Sequence, residues 1–305
     1  MEPAPLQKQN PPATVFPEAA KQAVLQKLVV AYDFSTASET ALRYAIEIAR
    51  TFHSEIVLAH IETPGTLSEM MDEGVAKAKV EILAERHELD QLSTQLQSQG
   101  IKASYLIQSG SPTDLLVQLI SERKPDLLLM GAYGYHAADR ITLGSTAEYL
   151  LRSVSCPVLI VGPSVAQASA HGIRLSEIVY ASTLPTSQGR AQELARDLAR
   201  KFAMHIHVVH IEPYATRVID GARLRELEMR EEKIADNFRR QGIGSSWTLR
   251  FGSQQDHILE QAKAASADLL CFGIVHPATD PSQMGPLSAI IRAAKCPILT
   301  VPGAA

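Results

Sequence analysis

A glycine-rich loop follows an apolar run in the stretch MGAYGYHAADRITLGSTAEYL, residues 130–150. Its glycines, and the two hydroxyl residues after the last of them, are Gly131, Gly134, Gly144, Ser145 and Thr146. Glycines let backbone N–H groups approach an anion with no Cβ atom in between, and the first turn of a helix adds N–H groups that lack a partner within the helix. The pattern therefore predicts a phosphate-binding loop that leads into a helix N-terminus.

The same loop also fits a purely structural role. Ser145 and Glu148 have the spacing of a capping box, in which the serine caps the helix and the glycines only make the turn. The loop matches neither GxGxxG nor GxxxxGK[ST], and short glycine motifs often occur without a ligand. From the loop alone, a nucleotide site and a structural turn are equally supported.

A carboxylate at the end of the first predicted strand is the second candidate. Asp33 follows the run KLVVAY, and parallel α/β sheets bind ligands beyond the carboxyl ends of strands, where the strand order reverses. A carboxylate there can accept hydrogen bonds from a ribose or hold Mg²⁺ beside phosphates. Alternatively, Asp33 caps the first helix together with Ser35. Two independent features at one sheet edge favour the nucleotide site.

The elements that position these residues occur twice. KLVVAYDFSTASETALRYAIEIARTFHSEIVLAHIE is matched by EIVYASTLPTSQGRAQELARDLARKFAMHIHVVHIE, and SCPVLIVGP by KCPILTVPG. In the first copy, strands are predicted at 28–32, 56–61, 103–108, 126–130 and 157–161. Helices are predicted from Thr36, which with Glu39 suggests a capping box, over 67–99 and after the cap Ser111-Pro112. This alternation predicts an α/β fold of two tandem doubly wound domains, each with a five-stranded parallel sheet flanked by helices.

The pattern also predicts domain boundaries. We expect a flexible, proline-rich N-terminal extension at 1–26, a nucleotide-binding domain at 27–163, a linker at 164–172 and a second domain at 173–305.

Composition excludes several classes of protein. The formal net charge is −4 and the basic residues are scattered, so neither a nucleic-acid partner nor an anionic membrane surface is expected. No stretch reads as a signal peptide or a membrane span. Three cysteines, Cys156, Cys271 and Cys296, stand outside any CxxC motif and fit buried packing in a reducing cytoplasm.

The histidines of MHIHVVH suggest a metal site that other observations disfavour. His205 and His207 share one strand face and His210 lies on the other, so a surface role is favoured over metal binding. His60 and His210 recur at equivalent strand ends, which favours a structural role for both.

Together these motifs resemble the ATP-binding form of the universal stress protein family, in tandem, from about Lys27 to Pro302. The pattern G-x2-G-x9-G-[ST] after the fourth strand carries the resemblance. The other matching pieces are Asp33, His60-Ile61, Gly110-Ser111-Pro112 and the CPVLIV strand. The resemblance implies a Rossmann-like sheet of order 3-2-1-4-5. It also implies a dimer contact through the last strand. A tandem chain could make this contact internally, by pairing strand 157–161 with strand 297–301.

The resemblance also implies roles for single residues. Asp33 would contact the ribose or the adenine, Ile61 would pack beside the adenine, and Met130 and Gly131 would line the base and sugar. The residues expected to hold the phosphates are Gly134, Gly144, Ser145 and Thr146. Arg140 is the strong cation of the loop, and His136 is a second candidate. A triphosphate carries more negative charge than these two residues offset, so the loop suits a ligand that brings a metal ion or one of diphosphate size.

Two features depart from the family pattern. Tyr32, Tyr133 and Tyr135 are bulky for their positions, and they would either stack on the base or crowd the cavity. In the second copy Thr183 replaces Asp33, His276 replaces Gly134, and Gly285 is followed by Pro286 and Leu287. Because proline has no N–H to offer a phosphate, we expect the second domain to keep the scaffold without the nucleotide site.

The sequence supports three functions. The first is a cytoplasmic stress-response protein that binds one adenine nucleotide (ATP, ADP or AMP, with or without Mg²⁺), so that occupancy orders loop 131–144 and biases a protein interaction. The second is a slow Mg²⁺-dependent ATP hydrolase, although no clear general base is placed there. The third is an interaction scaffold without nucleotide. Internal pairing of the domains is expected, and a homodimer is left open.

Overall fold

A computed structural model describes residues 25–63, 72–134, 143–168, 172–182, 188–213, 221–274 and 281–303 of the 305-residue chain. The first domain contains β1 (Lys27–Ala31), α1 (Thr36–Phe52), β2 (Glu55–Glu62), α2 (Asp72–Ser98), β3 (Ala103–Ser109), α3 (Pro112–Arg123), β4 (Leu127–Gly131), α4 (Ser145–Ser153) and β5 (Val158–Val161). The predicted strands and helices are confirmed to within a few residues.

The second domain repeats this order after a short helix, α5 (Pro163–Ala168). Its elements are β6 (Glu177–Ala181), α6 (Gln188–Phe202), β7 (His205–Glu212), α7 (Gly221–Arg240), β8 (Ser245–Phe251), α8 (Gln254–Ala264), β9 (Leu269–Ile274), α9 (Pro281–Ala293) and β10 (Ile298–Pro302). Helix α5 overlaps the predicted linker 164–172, and its Val165 is buried in the core.

The strands form one sheet of order β3-β2-β1-β4-β5-β10-β9-β6-β7-β8. Each half is parallel and has the predicted order 3-2-1-4-5. The halves join through an antiparallel pair, β5 and β10, in which Leu159 faces Leu299 and Ile160 faces Ile298. The predicted internal pairing of the two last strands is therefore confirmed.

The core lies on both faces of this sheet because the strands are apolar on both sides. Leu28 and Val30 of β1 belong to a cluster under α1, α2, α6 and α7, whereas Val29 belongs to a second cluster under α3, α4, α8 and α9. Full burial of such an aliphatic side chain contributes about 1.5–3 kcal/mol. The site described below is therefore built on a rigid, doubly covered sheet.

The start of α1 differs from the capping box that the sequence suggested, whereas the start of α3 agrees with its predicted cap. Ser111 caps α3 as predicted, with Pro112 at its first position. Helix α1, however, is capped by Ser35, whose side chain accepts a hydrogen bond from the Ser38 N–H. The predicted Thr36–Glu39 box is wrong because Ser35, not Thr36, has the extended backbone that a cap requires.

Among the described helices, none combines the length and the apolar character needed to cross a membrane.

Candidate functional site

The strand order reverses beside β1, which pairs with β2 on one side and with β4 on the other. Helix α1 covers one face of the sheet and α4 the other, and sheets of this kind bind ligands in a cleft beyond the carboxyl ends of strands such as β1 and β4. Asp33 follows β1, and the stretch from Gly131 to Gly134 ends β4 and begins the loop after it. The topology therefore brings together the two features that the sequence singled out.

Asp33 connects both sides of this cleft. Its Oδ1 atom accepts hydrogen bonds from the Ser35 N–H, at 3.1 Å, and from the Ser35 hydroxyl, at 2.5 Å. Its Oδ2 atom faces the other side, because a Cβ atom at Gly134 would lie only 3.1 Å from it. Asp33 thus takes part in the start of α1, the alternative left open above, while its second oxygen faces the glycine loop.

The glycines of the loop allow two close approaches. A Cβ atom at Gly131 would lie 2.7 Å from Ala37 Cβ, so only glycine lets α1 pack against the end of β4. The Gly144 N–H donates to the Ala132 carbonyl at 2.9 Å, and a Cβ atom at Gly144 would lie 3.1 Å from that same oxygen. These contacts fold the described ends of the loop back onto β4.

The start of α4 lacks a side-chain cap. Gly144 is the N-cap residue, with an extended backbone, and it has no side chain that could accept a hydrogen bond from the first turn. The predicted Ser145–Glu148 capping box is wrong, because Ser145 already lies in the helix and Glu148 pairs with Arg152 at 2.7 Å. Ser145 is exposed and Thr146 is partly buried in the first turn.

One face of the cleft is apolar. Met130 is buried in the cluster under α3 and α4, and Ala31, Ile61 and Val117 pack against the same cluster while remaining partly exposed. These side chains lie near the carboxyl edge of the sheet, on the face that α4 covers. They form an apolar wall on the side of the sheet opposite α1.

Two tyrosines that depart from the family pattern are buried. Tyr32 lies on the α1 face, edge-on to Phe34 with 5.1 Å between ring centroids, and burial raises the pKa of its hydroxyl to about 12. Tyr133 packs in the opposite cluster, where burial raises its pKa against the opposing effect of Arg292. Its hydroxyl is buried with no hydrogen-bond partner among the described residues. Both rings are therefore used in packing.

Three further residues of the predicted loop, Tyr135, His136 and Arg140, lie outside the described residues.

Ser35 and Ser38 are neighbours of Asp33 that the sequence did not single out as site residues, although the letters DFSTAS place both hydroxyls within its reach. The Asp33 N–H donates to the Ser38 hydroxyl at 3.3 Å.

The corresponding edge of the second domain is built differently in the residues that the structure describes. Helix α9 already begins at Pro281 and continues through Gly285 and Pro286, so no helix N-terminus lies at Gly285. Ile211, the counterpart of Ile61, is only 1% exposed, and Ala181 is buried as well. Thr183 and His276 lie outside the described residues. Pro286, which has no N–H to offer a phosphate, lies inside this helix.

The other candidate chemistry has structural partners. His207 bonds Ser246 at 2.8 Å and Glu177 at 3.0 Å, and its ring centroid lies 4.7 Å from that of His205. Among the described residues, no three His, Cys, Asp or Glu side chains form a group that could hold a metal ion. Burial raises the pKa of the Cys156 thiol to about 11, and those of Cys271 and Cys296 to about 12, which makes all three poor nucleophiles.

Comparisons with known proteins agree with the tandem fold. The family model described as "Universal stress protein family" matches residues 25–162 and 176–302. One universal stress protein of Methanocaldococcus jannaschii is 30% identical over 138 residues, covering 45% of this chain and 81% of the relative. A second from that organism is 22% identical over 152 residues, covering 45% of this chain and 94% of the relative.

A solved structure also resembles the whole chain. The crystal structure of a universal stress protein from Archaeoglobus fulgidus DSM 4304 has a TM-score of 0.72 at 19% identity, covering 92% of this chain and 98% of that chain. At this identity the likeness shows the fold alone.

Proposed function

The chain belongs to the universal stress protein family, and from that premise we propose that its first domain binds one adenine nucleotide at the carboxyl edge of β1 and β4. In this proposal the protein acts in the stress response by nucleotide-dependent sensing or protein interaction, and not by turnover. Its place of action is the cytoplasm, with which three free, buried thiols are compatible.

One observation carries this proposal: the first turn of α4 has no side-chain cap at the edge where Asp33 faces the glycine loop. Unpaired N–H groups at a helix N-terminus favour an anion through hydrogen bonds and through the helix dipole. The Gly144 N–H bonds back to Ala132, two residues before Gly134. A phosphate group would supply acceptors to the N–H groups of this turn, which its glycine cap and the other described residues do not supply.

The residues keep the roles that the sequence suggests. Asp33 binds the ribose, Ile61 and Met130 pack on the base, and Gly131 lets the backbone lie close to the sugar. The apolar wall suits a flat purine ring, since base recognition rests largely on such packing. The phosphate contacts are assigned to Gly134, Gly144, Ser145 and Thr146. Arg140 and any accompanying Mg²⁺ remain predictions from the sequence.

The first experiment identifies a bound molecule directly. The protein is purified without added nucleotide and denatured, and any released small molecule is identified by chromatography and mass. About one adenine nucleotide per chain supports the proposal. If the protein is empty, ATP, ADP and AMP are titrated with and without Mg²⁺, and stabilisation against heat is measured. A chain that none of them stabilises contradicts the proposal and favours the nucleotide-free scaffold.

Turnover is tested separately. Phosphate release from ATP and Mg²⁺ is followed for the native chain and for Asp33→Ala. We expect no sustained release, because the one carboxylate assigned to the cleft already bonds Ser35 through Oδ1. Steady release that the Asp33→Ala change abolishes would favour the hydrolase instead.

A further inference from the structure

We propose that His60 is a positioning residue for Asp33, which it holds in place from the face of the sheet opposite the nucleotide cleft. The inference rests on the function proposed above and adds to it a residue that does not touch the ligand. His60 is buried at the end of β2 and follows Ile56 and Leu58 on the face under α1 and α2. Ile61 and Met130 lie on the other face.

The first link is a hydrogen bond to the residue before Asp33. The His60 Nδ1 atom lies 2.8 Å from the Tyr32 carbonyl oxygen. A carbonyl only accepts, so Nδ1 must carry the proton. The paired residues of β1 and β2 end with Ala31 opposite Ala59, and the Tyr32 N–H still donates to the Ala59 carbonyl at 2.9 Å. Both backbone polar groups of Tyr32 are thereby bonded to β2.

The second link is a ring contact with the residue after Asp33. The Phe34 ring lies edge-on to His60, with 4.9 Å between ring centroids and an interplanar angle of 66°. Phe34 has a φ of +59°, a left-handed conformation that residues other than glycine adopt only where their surroundings enforce it. The rings of His60 and Tyr32 supply that enforcement. Both neighbours of Asp33 in the chain therefore contact His60.

The third contact is at the opposite edge of the ring, where a carboxylate holds the ring when Nε2 also carries a proton. The His60 Nε2 atom lies 3.4 Å from Glu85 Oε2 in α2, on the far side of the ring from Tyr32. The imidazole therefore stands between a covering helix and the end of β1. Because the carboxylate of Asp33 must face Gly134 to meet a ligand in the cleft, a shift at Tyr32 or Phe34 would move it.

The second domain provides a matched control. The His210 Nδ1 atom lies 3.2 Å from the Ser182 carbonyl, which repeats the bond of His60 to Tyr32. The residue after Ser182 is Thr183, so no carboxylate follows it. A role in stability alone would make the two histidines equivalent, whereas a positioning role affects nucleotide binding through His60 only.

The experiment compares His60→Phe with His210→Phe, both of which keep a ring and remove the donor, and adds His60→Asn, whose amide restores a donor near Nδ1. ADP affinity is measured by calorimetry and unfolding by heat. We expect both Phe variants to melt at a lower temperature. His60→Phe should weaken ADP binding about tenfold, the size of one lost hydrogen bond. His210→Phe should leave ADP affinity unchanged, and His60→Asn should recover most of the loss.

Three outcomes overturn the inference: ADP affinity unchanged in a folded His60→Phe variant, an equal loss in His210→Phe, or no recovery in His60→Asn. If His60→Phe does not fold, Glu85→Ala replaces it, since Glu85 is partly exposed and its loss removes the contact at Nε2. Unchanged ADP affinity in that variant overturns the inference too.

Failure of the proposed function is recognised separately, because the native chain then binds no ADP. Hydrogen exchange without ligand still reports on His60 in that case. Faster exchange at residues 32–38 in His60→Phe, and none in His210→Phe, would show that His60 orders this segment although the nucleotide function has failed. Unchanged exchange at residues 32–38 in His60→Phe would overturn the inference about His60 as well as leaving the nucleotide function contradicted.

Discussion

The carboxyl edges of the two domains differ although their sheets have the same order. In the first domain, α4 starts at Ser145 after the N-cap Gly144, which has no side chain to cap the helix, and Ile61 stays partly exposed. In the second, α9 already starts at Pro281, and Ile211 is buried. The strands and the core were kept in both copies, whereas the features proposed to bind a ligand were kept in one. Two domains of the same fold therefore need not share a binding site, because the site depends on a few residues that follow the strands.

The second domain differs also inside its core. Helix α7 of the second domain fully buries an acidic side chain, Glu231. Helix α2 of the first domain buries an apolar side chain, Leu89, to the same extent. The buried carboxylate accepts a hydrogen bond from the Ser182 hydroxyl and lies 3.6 Å from His210 Nδ1 and 3.7 Å from Arg230 Nε. Burial raises the pKa of Glu231. The domain that lost the glycine loop thus contains a buried acid beside its first strand.

The largest effect should come from the seam that both domains share. Leu159 and Leu299 face each other across β5 and β10, and both are buried. Leu159→Ala and Leu299→Ala should each lower the free energy of unfolding by about 2–5 kcal/mol, the cost of a cavity in a packed core. Denaturant unfolding measures this, with Val80→Ala as the control because Val80 is 66% exposed. Very unequal losses would show that the domains unfold independently of the seam.

The next effect contrasts Gly144 with Gly285. Gly144→Val puts a branched side chain 3.1 Å from the Ala132 carbonyl and beside the open first turn, so nucleotide binding should fall about 100-fold or more. Gly285 lies inside α9 with open space around its Cα, so Gly285→Val should leave binding unchanged. Calorimetry with ADP compares them. Equal affinities in the two variants would contradict the assignment of the site to the first domain.

A smaller effect is expected at Asp33. Asp33→Ala should weaken nucleotide binding about tenfold, because a charged acceptor for the sugar hydroxyls is lost. Ser35→Ala is the control: it removes the cap of α1 and should cost about 1 kcal/mol of stability with a smaller loss of affinity. If Ser35→Ala weakens binding as much as Asp33→Ala, Asp33 acts only through the start of α1.

The smallest effect concerns Glu231. Since burial raises the pKa of folded Glu231 above its ordinary value of 4.5, its contribution to stability is full below about pH 4.5 and is lost as pH rises through the folded pKa. Glu231→Gln should therefore raise the free energy of unfolding at neutral pH by about 1 kcal/mol and flatten its dependence on pH above 4.5. Denaturant unfolding at several pH values checks this, with Glu232→Gln as the exposed control. A loss of stability at neutral pH would show that the ion pairs with His210 and Arg230 outweigh burial.

The residues by themselves determined the doubled α/β fold, whereas the strand order and the pairing of the last strands were predicted from the resemblance to the universal stress protein family. Runs that are apolar on both faces, helical periodicity and turn residues are local features, so one chain is enough to read them. The sequence also placed Asp33 and the glycine loop at one sheet edge, because the carboxyl ends of neighbouring parallel strands meet there.

Only the tertiary structure decided which residues begin the helices, which oxygen of Asp33 faces Gly134, and which face of the sheet His60 shares with Tyr32 and Phe34. A helix cap depends on the backbone angles of one residue, and these follow from how the loop is folded back, as Gly144 is onto Ala132. The other contacts join segments far apart in the chain. Their distances are set by the packing of helices on both faces of the sheet, which no local pattern encodes.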